Sequence, residues 1–329
     1  MMLDKSNFLT PSLKGAGQVF FMENALTGLF FLIAIGFASY ATGVWATTIG
    51  AVLGLIIATV TARALEYDEA SVQAGLFGFN GILVGIALPT FIAASPFLWL
   101  YIVIGAAVST IVTASFAATL TKSWGIPGST GPFVLTTWLL LAGAYSFGSL
   151  QVTGNAPKLA SDYVQGTASI PAVMELLDIF FRNIGQVFLL GDTISGVIIL
   201  VGIFIASRPA GIAAMAGSAI ALVMAIVMRA DPATVSQGLY GFSPVLTAMA
   251  VGVIFMKTST KVVLYAGIAT VMTVFVQGAL DVIMAPSGLP SFTAPYVLTM
   301  YLFIAPKKLL SPHPHKPVAH HATADKKTS

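Results

Sequence analysis

Long apolar runs broken by short polar, glycine- or proline-bearing joints set the pattern of this chain from residue 25 onward. A helix that crosses a bilayer needs about 20 mainly apolar residues. Runs at 25–40, 43–62, 75–92, 97–120 and 132–147 approach or reach that length, and a second set follows near 194–205, 210–227, 239–255, 262–280 and 295–305. Lipid offers no hydrogen bonds, so such segments must be helices or be shielded by protein. The pattern predicts an all-α integral membrane protein with about ten transmembrane helices. Two further segments, 9–16 and 172–184, are too short to span and lead directly into longer runs. They read as half-spanning helices that dip into the membrane and return.

The chain repeats itself. Gly17-Gln18-Val19-Phe20, followed by Gly28, Ala38 and Ser39, recurs as Gly185-Gln186-Val187-Phe188, followed by Gly196, Ala206 and Ser207. Gly75-Leu76-Phe77-Gly78-Phe79 with Leu83 recurs as Gly238-Leu239-Tyr240-Gly241-Phe242 with Leu246. The stretch from Gly125 to Thr136, with Pro127, Thr130 and Pro132, recurs from Gly288 to Thr299, with Pro290, Thr293 and Pro295. Matched blocks in one order imply duplication. An odd number of spans per half then makes the second half enter from the opposite face, an inverted-topology repeat with its site where the halves meet. The division expected is 1–150 for the first half, 151–183 for an extracytoplasmic linker and the start of the second half-spanning segment, 184–306 for the second half, and 307–329 for a disordered cytoplasmic tail.

Charge placement supports one orientation. With both termini cytoplasmic, Lys5, Lys14, Arg63, Lys122, Arg208, Lys257, Lys261 and the five lysines of the tail lie inside, against Lys158, Arg182 and Arg229 outside, as the positive-inside rule requires. Charged residues make up 8% of the chain, hydrophobic residues 57%, and mean hydropathy is +0.92, whereas soluble domains carry about 25% charged residues. Residues 1–14 carry neither an apolar signal core nor a cleavage site. Cysteine is absent, and all four histidines, His313, His315, His320 and His321, fall in the tail. Without intramembrane histidine, metal-ligand spacing, a phosphate loop or a nucleophile and base set, the chain reads as neither an enzyme nor an ATP-driven pump. No cofactor and no nucleic-acid partner is expected.

The polar groups within the apolar runs are few. Gln18 and Gln186 close the short segments, where each either caps a helix at the interface or lies near a pore axis with free carbonyls around it. Pro127, Pro132, Pro290 and Pro295 forbid a continuous helix past Thr130 and Thr293. Each break is either a loop before a span or a place where carbonyls and a hydroxyl face a tunnel. Phe79 and Leu83, like Phe242 and Leu246, lie one helical turn apart on one face. They read either as packing or as an apolar slot for a planar solute. Glu23, Asp192 and Asp281 lie near span ends without a mid-membrane base.

These motifs resemble the bacterial and animal urea transporters. The family signature Leu-Pro-x-x-Thr-x-Pro-Phe is met as Ile126-Pro127-Gly128-Ser129-Thr130-Gly131-Pro132-Phe133 and as Leu289-Pro290-Ser291-Phe292-Thr293-Ala294-Pro295-Tyr296. The Gln-x-x-Phe and Gly-Phe-Asn-Gly elements are present too. The resemblance implies a homotrimer in a bacterial inner membrane, each subunit with its own pore for urea. It places Thr130 and Thr293 at the central constriction and Gln18 and Gln186 near oxygen ladders that accept urea N–H groups. Phe21, Phe79, Leu83, Leu189, Phe242 and Leu246 would form the apolar slots. Ile126 and Tyr296 depart from the signature, and Leu189 stands where the first half has Phe21. The mechanism implied is downhill diffusion of urea. The alternatives are an ion-coupled transporter of a small neutral solute working through Glu23, Asp192 or Asp281, and a channel for small amides.

Overall fold

The computed structural model describes residues 7–154, 156–163 and 171–306; the tail at 307–329, with its histidines and lysines, lies outside them, as does Lys5. Within this region the chain is helical, apart from an isolated bridge between Ile92 and Val152. The first half contains α1 (Leu9–Gln18), α2 (Ala25–Thr42), α3 (Ala46–Ala64), α4 (Glu69–Gln73), α5 (Gly78–Phe91), α6 (Pro96–Trp124) and α7 (Gly131–Ala144). The second repeats the series as α8 (Val173–Gly185), α9 (Thr193–Ala206), α10 (Arg208–Val227), α11 (Pro232–Ser236), α12 (Phe242–Ile254), α13 (Thr260–Met284) and α14 (Ala294–Ile304).

Local chemistry places the ends. Asn24 and its counterpart Asp192 accept the N–H of Thr27 and Ser195 at the starts of α2 and α9. Asp68 and Asp231 do the same for Ser71 and Thr234 in α4 and α11. A side-chain oxygen at this position satisfies one of the N–H groups that a helix start leaves unpaired.

Helices α2, α3, α6, α10 and α13 are long and apolar enough to cross a membrane, and α8 with α9 forms a pair bent by 72°. The remaining predicted spans, α5, α7, α12 and α14, are apolar but shorter. These helices begin late, α5 and α12 only after the left-handed turns at Gly75 and Gly238, and α7 and α14 only after the proline-bearing breaks, a limit that hydropathy does not register. The outer surface is apolar: Ile49, Val52, Ile56 and Val60 form an exposed stripe on α3, and Leu100, Ile104, Val108 and Ile111 another on α6. Such helical stripes facing outward belong against lipid. Inside, α3 and α5 approach through reciprocal glycines. A Cβ on Gly50 would meet the Gly85 carbonyl and one on Gly85 the Gly50 carbonyl, and Gly54 and Gly81 are paired likewise. Small residues at a helix crossing permit this closeness.

The halves meet symmetrically. Thr27 on α2 donates its hydroxyl hydrogen to the Gly202 carbonyl on α9, and its counterpart Ser195 donates to the carbonyl of Ala34, the counterpart of Gly202. When residue i meets j and the partner's i meets the first copy's j, the two bodies are related by a two-fold axis. The backbone repeats as well. Phe21 and Leu189 have φ of 65° and 58°, Glu66 and Arg229 both 53°, and Ser129 and Phe292 both 48°.

Candidate functional site

Residues that are each other's counterparts can touch only on the two-fold axis. Two such pairs do. The Thr293 hydroxyl donates to the Thr130 hydroxyl at 2.7 Å, with both residues buried. The rings of Phe20 and Phe188 lie 5.8 Å apart, and Phe31 packs against both. The axis therefore passes between the threonines that close the two proline-bearing breaks and between the phenylalanines that follow the two glutamines.

Each threonine follows a strained residue. Ser129 and Phe292 are non-glycine residues in the left-handed region, where a Cβ costs roughly 1–2 kcal/mol. Such geometry persists only where its surroundings enforce it, and it concentrates at functional sites. In the first half the enforcer is Asn80, fully buried on α5. Its Oδ1 accepts the Phe133 N–H at 3.1 Å, and its Nδ2 donates to Thr113 Oγ1 at 3.0 Å and to the Ser129 carbonyl at 3.3 Å. One carboxamide thus satisfies an N–H at the start of α7 and holds the carbonyl before Thr130. In the second half, Ser291 within the break donates to Asp281 Oδ1 at 2.6 Å and accepts from Gln277 Nε2 at 2.8 Å.

The glutamines are equivalent in contact as well as in sequence. Gln18 Nε2 donates to the Ala74 carbonyl and Gln186 Nε2 to the Gln237 carbonyl, each at 2.8 Å. In each case Nε2 is engaged and Oε1 has no donor among the described residues, so the amide oxygen is free to accept. Phe21 and Leu189, three residues on, are the half-buried left-handed residues where the short helices end. Phe21 meets Phe255 and Tyr296 edge-on, at 5.6 and 6.1 Å. Leu83 and Leu246 are fully buried, with Phe79 and Phe242 nearly so. These two phenylalanines make no ring contact with each other.

A sequence profile of the urea transporter family matches residues 9–308. The chain belongs to the urea transporter family. It is similar to urea transporter 1 of the goat Capra hircus, 27% identical over 308 residues, covering 90% of this chain and 76% of that protein. The urea transporter 1 proteins of the sheep Ovis aries and the rat Rattus norvegicus are each 26% identical over 306 residues, with the same coverage. Membership makes the chain a multi-pass membrane transporter rather than an enzyme, and supports urea as what it moves.

Within this urea transporter family member, the signature's departure at Tyr296 acquires a partner. The Tyr296 hydroxyl lies 2.7 Å from Ser129 Oγ, across the boundary between halves, and also donates to Met300 Sδ at 3.0 Å. The two-fold mate of this contact joins Phe133 and Phe292, whose rings lie 5.1 Å apart at 61°. One contact is thus made twice with different chemistry, a hydrogen bond on one side of the axis and a ring contact on the other.

The acids have local duties. Glu23 pairs with Lys14 at 2.9 Å, Asp192 caps α9, and Asp281 holds Ser291 and Gln277. Arg182, the counterpart of Lys14, donates instead to the Ser236 carbonyl at 2.9 Å. Sequence reading missed Asn80 as the clamp, although it is the asparagine of the Gly-Phe-Asn-Gly element. It also missed the Ser129 and Tyr296 pair, for which the Phe-to-Tyr departure was the available signal. Nothing in the sequence marked Gln277: Asp281 lies one turn on along α13, but Ser291, which ties the pair to the break, comes from beyond the end of that helix.

Proposed function

We propose that this protein is a passive urea channel, with one pore in each subunit running between two inverted halves and crossing their two-fold axis at Thr130 and Thr293. The observation that carries this reading is the meeting of those two counterpart threonines on the axis, with an unbonded glutamine oxygen contributed by each half. Urea is planar and neutral, with four N–H donors and one strong acceptor. Gln18 and Gln186 Oε1 replace water toward its N–H groups. The apolar residues Phe21, Phe79, Leu83, Leu189, Phe242 and Leu246 hold it flat and leave a hydrated cation uncompensated. At the threonines, urea takes over the bond that the two hydroxyls make with each other. Flux follows the urea gradient, and the acids near the span ends serve the structure rather than ion coupling.

The halves are 1–150 and 184–306, joined by 151–183, with the tail at 307–329 cytoplasmic. Five spans per half put the axis in the membrane plane, and the lysine and arginine distribution supports both termini inside a bacterial inner membrane. The assembly proposed is a homotrimer.

The test is stopped-flow uptake of urea into proteoliposomes against empty liposomes, with and without a pH gradient or membrane potential. Rapid uptake indifferent to the ionic gradients is the expected result. Uptake that requires an ion gradient would establish coupled transport instead, and a larger flux for short amides than for urea would make those the substrate.

A further inference from the structure

The two halves clamp their breaks differently, and the difference defines a small polar site. In the first half the Asn80 carboxamide fills the space between α5, α6 and the start of α7, and its Oδ1 takes the Phe133 N–H. The counterpart of Asn80 is Ser243, with two fewer side-chain heavy atoms, and the counterpart of Phe133 is Tyr296. Ser243 is fully sealed from solvent and its Oγ has no hydrogen-bond partner among the described residues.

A second buried polar group without a partner lies on α13, the helix packed against α12. Helices α12 and α13 run antiparallel, joined by the hydrogen bond from Thr273 to Thr247 at 2.8 Å. One turn along each helix from that bond brings Ser243 level with Gln277. Gln277 is 1% exposed and its Oε1 likewise meets no donor. The amide cannot gain by flipping, because its Nε2 already donates to Asp281 Oδ1 at 2.9 Å and to Ser291 Oγ. A flip would turn an oxygen toward a carboxylate.

We infer that Ser243 Oγ, Gln277 Oε1 and the Tyr296 N–H bind one buried water molecule, which does in the second half what the Asn80 carboxamide does in the first. Buried waters typically make about three hydrogen bonds to groups that would otherwise go unpaired, and leaving such groups unpaired is costly. The mixture fits water and excludes a cation. Gln277 Oε1 accepts, Tyr296 N–H donates, and the serine hydroxyl does either, whereas a cation would be repelled by the N–H. The water rests on the geometry of the break and not on which solute the protein carries.

The test uses the full-length protein. A crystal structure that resolves ordered water should show a single peak within about 3.2 Å of all three groups. A map with no peak there, or with Ser243 Oγ turned back onto its own helix, overturns the inference. Ser243→Asn supplies the missing carboxamide and displaces the water, whereas Ser243→Ala removes one of its partners. The melting temperature in detergent should therefore order as Ser243→Asn above wild type above Ser243→Ala. Ser243→Asn melting at or below Ser243→Ala would overturn the inference independently of the map.

Discussion

The hydroxyls of Thr130 and Thr293 lie 2.7 Å apart, so the two breaks of the repeat are tied to each other at the axis that relates them. Thr130→Val takes the acceptor from a buried donor and should cost about 1–3 kcal/mol of stability. Thr130→Val with Thr293→Val removes both partners while keeping their shape and should recover most of that loss. Urea flux behaves differently: loss of hydroxyl contacts to the passing solute should lower it about tenfold, the equivalent of roughly 1.4 kcal/mol in a barrier. Double-variant flux equal to wild type would remove the threonines from the pathway.

Asn80 makes three hydrogen bonds from a fully buried position. Asn80→Ala should destabilise the protein by about 2–4 kcal/mol, because it strands the Phe133 N–H and releases the Ser129 carbonyl. Thermal unfolding in detergent measures this. A loss under about 0.5 kcal/mol, typical of surface substitutions, would show that the first break stands without its clamp.

Tyr296→Phe deletes the hydrogen bond to Ser129 and leaves the ring in place. The bond is worth about 1 kcal/mol, which corresponds to about a fivefold effect where it restrains the neighbouring Thr130. The permeability of N-methylurea relative to urea should rise by that order. Adding Ser129→Phe rebuilds the ring contact that Phe133 and Phe292 make on the other side of the axis and should restore discrimination. An unchanged ratio in Tyr296→Phe would confine the hydroxyl to a packing role.

Gln18→Leu and Gln186→Leu each remove one unbonded amide oxygen and free a backbone carbonyl, Ala74 in one case and Gln237 in the other. Two equivalent sites in series predict flux losses of similar size, about tenfold each if one hydrogen bond of ~1.4 kcal/mol is lost to the solute. A large loss in one variant and none in the other would show that only one glutamine faces the solute.

The Lys14 and Glu23 pair is partly exposed, with side-chain exposures of 26% and 55%. Glu23→Gln should change stability by less than about 1 kcal/mol, and urea flux through the variant, as through the wild type, is expected to be insensitive to pH gradient and potential. A flux that becomes dependent on either gradient, or that already depends on one in the wild type, would place Glu23 in an ion-coupling path.

Much of this architecture follows from short-range rules written into the chain. Apolar runs set helices because backbone groups in lipid must pair within their own segment. Proline at 127, 132, 290 and 295 keeps a helix from running through either break, Pro132 and Pro295 being accommodated in the first turns of α7 and α14. The duplicated blocks paired Gln18 with Gln186 and Thr130 with Thr293. Helix ends were less legible. The shortness of α5, α7, α12 and α14 depends on where flanking turns are held, and the left-handed turns at Phe21 and Leu189 carry no glycine to announce them.

Tertiary structure alone decided which of these residues meet. Equivalence in sequence does not imply contact, and Thr130 touches Thr293 because the two-fold axis passes between them, whereas Phe79 and Phe242, equally equivalent, make no ring contact. Asn80 reaches Phe133, Ser129 reaches Tyr296, and Gln277 reaches Ser291 across stretches of chain that no periodicity spans. Local preference fixes what each segment is. The close packing of helices that share no local sequence fixes which polar groups find partners and which are left to bind something else.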